Sequence, residues 1–209
     1  MSDILVVGAG GHAKVVIATL RAAGGVVGSV LDDNPASWGT EVLGCPVLGG
    51  TERLEGGEKS AILAIGSNRT RQAISARFPE VEWVTVVHPA ATVHRTAHLG
   101  AGTVIFAGAV VQPDAWLGNH VIINTGATVD HDCVLEDYVH MAPGSNLAGN
   151  VQLAEGVFLG IGSSAVPGVQ VGAWTTVGAG GVVVKNLPAG VTATGIPARP
   201  RIKQERGEA

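Results

Sequence analysis

From residue 93 to residue 183 an apolar side chain recurs at every sixth position, with no insertion. The series is Val93, Leu99, Ile105, Val111, Leu117, Ile123, Val129, Leu135, Met141, Leu147, Leu153, Leu159, Ala165, Val171, Val177 and Val183. Two residues before these stops the side chain is usually small or β-branched, as at Thr103, Ala109, Val121, Cys133, Val151, Ser163 and Thr175. Self-similarity at a fixed period marks a repeat architecture. Ordinary half-buried strands would instead alternate with period two and drift in register. A six-residue unit with one deep apolar position reads as a short strand plus a turn. Three units close one triangular coil, so the spacing predicts a parallel β-helix.

The rest of the chain is bounded by simpler arguments. Its 209 residues suffice for one large domain or two small ones. With 31 Gly, 14% charged and 4% aromatic residues, the composition suits tight turns around thin apolar layers. The net charge of −4, with Lys and Arg scattered, leaves no basic stripe for nucleic acid. Cys45 and Cys133 are too few for a disulfide framework, and both read as reduced thiols of a cytoplasmic protein. No signal peptide is expected, because Asp3 leads into a short apolar run that ends at glycines. No apolar segment approaches the roughly 20 residues that span a bilayer.

Ahead of the repeat the pattern changes. Residues 4–7 read as a strand running into Gly8-Ala9-Gly10-Gly11-His12-Ala13, followed by a helix with Val15, Val16, Ala18, Thr19 and Leu20 on its inner face. Strands are expected over 26–31, 61–65 and 81–87 and a helix over 70–77, with Cys45-Pro46-Val47-Leu48-Gly49 in a loop. This order implies a small parallel sheet flanked by helices, an α/β half-Rossmann domain over residues 1–87. The β-helix domain then spans 88–209, and its charged tail breaks the period and is expected to be mobile.

A strand, a glycine-rich turn and a helix together place backbone N–H groups where an anion can sit. Gly8, Gly10 and Ala13 match the dinucleotide fingerprint, and Asp32 stands where a ribose-binding acid belongs. Alone, that argues for an NAD-dependent enzyme. Yet 87 residues make only half of a dinucleotide fold. A smaller ligand, such as the nucleotide of a sugar nucleotide, fits better, and a tight turn without ligand is the alternative.

The repeat resembles the left-handed β-helix of the hexapeptide-repeat acyltransferases, which use acyl-CoA. The hand comes from the resemblance, since parallel connections by default favour the right. With the N-terminal domain added, nearly the whole chain resembles bacterial N-acetyltransferases of nucleotide-linked 4-amino-4,6-dideoxy sugars and the related sialic-acid O-acetyltransferases. The resemblance rests on Gly8-Ala9-Gly10-Gly11-His12, Leu31-Asp32-Asp33, Ala64-Ile65-Gly66-Ser67-Asn68, Ile123-Asn124-Thr125 and Asp130-His131-Asp132-Cys133. It continues through Val139-His140-Met141-Ala142-Pro143-Gly144, Leu147-Ala148-Gly149-Asn150 and Gly195-Ile196-Pro197-Ala198. It implies sugar-nucleotide binding by Gly10, Gly11, His12, Asp32, Asp33, Gly66, Arg69 and Asn124, while Arg69-Thr70-Arg71 departs from the family pattern and leaves the nucleotide open. It implies acetyl-CoA contacts at His140, Ile161 and Ala179, a homotrimer, and a catalytic His131 with Asp132 raising its basicity.

Residue chemistry supports the last point. Transfer to an amine needs a base near neutrality, which a histidine beside a carboxylate provides. Neighbours on a strand point opposite ways, so contact between His131 and Asp132 requires a turn. Gly149 follows His131 by one coil and is a candidate oxyanion donor. His140 lies half a coil from His131, so a site using both must form between subunits. His88, His94, His98 and His120 have no metal-ligand spacing and read as surface or turn residues, and no metal is expected. A non-catalytic trimeric scaffold is the reading from another class, but a scaffold has no use for a base.

Overall fold

The computed structural model describes residues 3–56 and 59–201; the charged end of the tail, 202–209, lies outside the described residues. The six-residue repeat becomes two-residue strands separated by turns. Strands stack at one-coil intervals, with Val104 opposite both Val86 and Ile122. Their N–H groups donate along the stack, Val104 to the Val121 carbonyl at 2.9 Å and Phe106 to the Ile123 carbonyl at 3.0 Å. Three sheets result, parallel except where Arg199–Pro200 turns back on Thr192–Thr194 at the end of the first. Face A begins with Val86–Val87 and Val104–Ile105, face B with Thr92–Val93 and Val110–Val111, and face C with His98–Leu99 and Trp116–Leu117.

The stops from Ile105 to Val183 form the continuous core of this prism. Thr103, Ala109, Val121, Cys133, Val151, Ser163 and Thr175 are fully buried with them. Each buried Leu or Ile contributes about 2 kcal/mol. The third residue after each stop, from 102 to 180, is left-handed whether or not it is glycine. Asp114, Asp132 and Asn150 tolerate this geometry. His120, Tyr138 and Trp174 adopt it at a cost.

The N-terminal domain is a mainly parallel sheet of β1 (Ile4–Val7), β2 (Val27–Leu31), β3 (Glu41–Val42), β4 (Cys45–Gly49), β5 (Ser60–Leu63) and β6 (Glu82–Trp83), in the order β3-β4-β2-β1-β5-β6. The segment expected as a loop is therefore strand β4. Cys45, Val47 and Gly49 point inward, while Pro46 sits beside the two-residue β3, where a missing N–H costs little. The strand expected over 81–87 is two pieces: β6 joins this sheet, and Val86–Val87 pairs with Val104–Ile105 in the first coil. Helix α1 (Gly11–Ala22) buries Ala13, Val16, Ile17, Thr19 and Leu20, so Val15 and Ala18 of the expected inner face point to solvent. Helix α2 (Asn68–Arg77) starts earlier than expected because Ser67 caps it.

The two domains share a core in which α1 and the sheet pack on Val104, Phe106 and Ile122 of face A. Arg71 latches them. Its Nε donates to the His120 carbonyl (3.1 Å), one terminal nitrogen to the Ile65 and Gly66 carbonyls (3.1 and 3.2 Å) and to Asn68 Oδ1 (3.0 Å), and the other to the Tyr138 carbonyl (2.7 Å). Asn68 adds bonds to the carbonyls of Gly156 and Val157. Docking also buries His120, expected at the surface, between the edge of Trp83 and the parallel ring of Tyr138.

Burial, aided by the Arg71 charge, lowers the pKa of His12 and of His120 to about 4, and that of His140 to about 3. Below pH 6.5 the unfolded chain therefore binds more protons than the folded one at these sites, so stability rises with pH across this window and is lost on acidification. The melting temperature should fall as pH drops from 6.5 towards 4, and the fall should be smaller in His120→Asn. A melting temperature constant over that range would contradict the assignment. Among the described residues no helix is long and apolar enough to cross a membrane.

Candidate active site

A cleft of about 400 Å³ opens at the carboxyl ends of the N-terminal strands, a size suited to a small-molecule ligand. Gly8, Gly10, Gly11, His12, Asp32, Asp33, Thr51 and Gly66 are among its lining residues. Gly8, at φ +110°, lies so close to the segment after β5 that a Cβ would come within 2.8 Å of Ile65 Cγ1. At Gly10 and Gly11 a Cβ would meet nothing within 4 Å. Here the missing side chains leave the start of α1 open, with no side-chain cap on its N–H groups, which suits an anion.

The acidic pair shapes this cleft through the backbone. Asp32 accepts from the Ala9 N–H at 2.6 Å and the Asn34 N–H at 2.8 Å, fixing the glycine turn. Asp33 accepts from the Thr51 N–H and hydroxyl, both at 2.7 Å. The Thr51 N–H is the main reason its pKa lies below the usual carboxylate value.

His12 lines the cleft, yet its ring packs edge-on against Phe106 of the β-helix and its Nε2 is buried without a partner. His140 and Asn124 stand behind the cleft wall. His140 Nδ1 lies 3.1 Å from the Gly66 carbonyl, and its Nε2 lies 3.3 Å from Asn124 Nδ2. A carbonyl only accepts, so a proton sits on Nδ1, and burial keeps the ring neutral at ordinary pH. The structure thus buries His140 at the domain junction, away from the open edge that carries Ile161 and Ala179. Those two are exposed at the corner between faces A and B. The left-handed position there is glycine in each coil from Gly108 to Gly180, and a Cβ at Gly126, Gly144, Gly162 or Gly180 would meet nothing within 4 Å. Arg69 lies just outside this cleft, over Trp174.

His131 occupies the corner between faces B and C. Asp132 takes the left-handed conformation (φ +57°), which turns its carboxylate back to His131 Nδ1 at 2.7 Å. This hydrogen bond, ahead of the charge of Asp130, raises the His131 pKa above 6.5. With Nδ1–H donated to Asp132, Nε2 is left free to accept a proton. One coil on, a Cβ at Gly149 would lie 2.6 Å from Nε2 and Cε1, so only glycine fits beside this ring. The Gly149 N–H has no hydrogen-bond partner among the described residues. Cys133 points inward, and burial pushes its thiol up to about 11, which makes it a poor nucleophile. Among the described residues no cluster of His, Cys, Asp and Glu is arranged to hold a metal ion.

Two comparisons cover part of the chain. Residues 3–78 match the family described as the PglD N-terminal domain. A UDP-N-acetylbacillosamine N-acetyltransferase of Bacillus subtilis is 40% identical over 110 residues, 50% of this chain and 51% of that one. The match thus spans about half the length of the curated relative. A crystal structure of a perosamine N-acetyltransferase variant from Caulobacter crescentus, with CoA and GDP-perosamine, reaches much further. It is 42% identical, covers 97% of this chain and 98% of that chain, and superposes with a TM-score of 0.91. The chain belongs to the hexapeptide-repeat sugar N-acetyltransferases. The acetyltransferase domain of PglB from Neisseria gonorrhoeae, solved with acetyl coenzyme A, is 38% identical over 95% of this chain and 98% of that chain, with a TM-score of 0.89. In this family the prism is a left-handed β-helix, as the resemblance implied.

Two residues that join the domains, Arg71 and Trp174, do not stand out in the sequence as functional. Arg71 looks like one more helix arginine, and only the docking of the domains reveals its cage. Trp174 carried a usable signal, because it stands at a left-handed turn position that the repeat most often fills with glycine.

Proposed function

We propose that this chain is an acetyl-CoA-dependent N-acetyltransferase acting on the amine of a nucleotide-linked 4-amino-4,6-dideoxy sugar. Membership of the family supports the reaction class. One observation supports the mechanism: an exposed histidine with its Nδ1 fixed by Asp132 and its Nε2 beside Gly149, whose amide has no partner among the described residues. The substrate amine attacks the thioester carbonyl and His131 Nε2 takes the amine proton. The Gly149 N–H stabilises the oxyanion, the C–S bond breaks, and the departing thiolate recovers a proton. No covalent enzyme intermediate is needed.

The nucleotide sits in the N-terminal cleft with its diphosphate at Gly10 and Gly11. That domain is docked on face A, whereas His131 stands at the corner between faces B and C. A sugar leaving the cleft is therefore acetylated by His131 of a neighbouring subunit, with CoA along the glycine edge at Ile161 and Ala179. This requires an oligomer, and the trimer implied by the resemblance satisfies it. The exposed Trp116 and Val134 on face C give such assembly an apolar surface. We place the reaction in the cytoplasm, in keeping with two buried free cysteines.

The test is release of free thiol from acetyl-CoA in the presence of GDP-, UDP- or dTDP-linked 4-amino-4,6-dideoxy sugars. Turnover with one of them, with the GDP sugar first in line from the Caulobacter structure, is the expected result. Silence with all three would overturn the proposal and bring sialic-acid O-acetylation or a scaffold role forward.

A further inference from the structure

Arg69 is exposed near the start of α2, and among the described residues no carboxylate pairs with it. Its guanidinium carbon instead lies 4.0 Å above the ring centroid of Trp174, which comes from the other domain. The pair lines a hollow of about 340 Å³ together with Gly66, Phe158 and Thr176. Gly66 also lines the nucleotide cleft, so the two hollows adjoin there.

Trp174 holds a φ of +60°, a region that bulky side chains avoid. One coil below, Gly156 clears the floor for its ring, since a Cβ there would lie 2.3 Å from Trp174 Cε3. A bulky residue kept in a strained turn, with a glycine making room for it, points to a use.

We propose that Trp174 is a positioning residue that holds Arg69 as a clamp on the sugar-proximal phosphate of the nucleotide sugar. The inference rests on the nucleotide-sugar reading above. With the nucleoside-proximal phosphate at Gly10 and Gly11, the next phosphate passes Gly66 on its way to the second hollow. Stacking uses the flat face of the guanidinium and leaves its N–H edges free for phosphate oxygens. Gripping that phosphate from the β-helix side would hold the sugar at the angle at which it leaves the cleft.

The test is calorimetric titration of the intact protein with the nucleoside diphosphate and monophosphate of whichever base it binds. Arg69→Ala should weaken the diphosphate about tenfold or more, and Trp174→Ala about three- to tenfold. The monophosphate should bind all three proteins equally. Trp174→Phe should restore most of the loss, and Arg69→Ala/Trp174→Ala should bind no worse than Arg69→Ala. Additive losses, equal losses for both nucleotides, or unchanged diphosphate binding would overturn the clamp alone. A wild-type protein that binds no nucleotide would instead overturn the nucleotide-sugar reading and the clamp with it.

Discussion

His131→Ala should lower kcat by about 10²- to 10⁴-fold while leaving acetyl-CoA and nucleotide-sugar affinity unchanged. A base acts only when neutral. Because Asp132 holds the His131 pKa above 6.5, kcat/KM should fall as pH drops through that raised value. Asp132→Asn removes the anionic acceptor, so the imidazole loses its proton more easily and the fall should move to lower pH. The substrate ammonium titrates on the same side. The displacement between wild type and Asp132→Asn, rather than the fall itself, therefore identifies the group. In the same variant the weaker base should also reduce the rate on the plateau. Steady-state kinetics of both variants across pH decide the matter: activity retained in His131→Ala, or identical profiles for wild type and Asp132→Asn, would remove His131 from the reaction.

What could be read from sequence follows from how local each cause is. The six-residue stops announced the coil because every core residue obeys one period, and the contact of His131 with Asp132 could be anticipated because both lie in a single turn. Strand β4 was missed because Pro46 reads as a strand breaker, and only its place beside the short β3 removes the objection. The burial of His120 and His140 was not legible for a different reason. Their turns and strands were read correctly as parts of the repeat, but the N-terminal domain lands on that side of the prism and buries them. Nothing periodic encodes where one domain lands on another. The latch that holds it there was invisible for the same reason, since Arg71 joins carbonyls 49 and 67 residues away.

Arg71→Ala should cost about 3–5 kcal/mol of stability. The side chain is 1% exposed, and burial lowers its pKa to about 9, still well above neutrality, so a full charge sits at the junction. Among the described residues no carboxylate pairs with it. The charge is held by the backbone carbonyls of Ile65, Gly66, His120 and Tyr138 and by the Asn68 amide oxygen. Truncation takes the fork's donors away from these buried acceptors, of which the Gly66 carbonyl keeps His140 Nδ1. Arg71→Lys should recover only part of the loss, because a compact ammonium has three donors and no plane to reach both domains. Denaturant unfolding should then resolve two steps in Arg71→Ala, the N-terminal domain releasing before the β-helix, where the wild type unfolds in one. A single transition with stability lowered by less than about 1 kcal/mol would mean that the apolar contacts of Val104, Phe106 and Ile122 hold the domains together unaided. The same variant should raise KM for the nucleotide sugar. The Gly66 carbonyl would then be held by His140 alone, and the cleft wall that Gly66 forms would no longer be anchored from both sides.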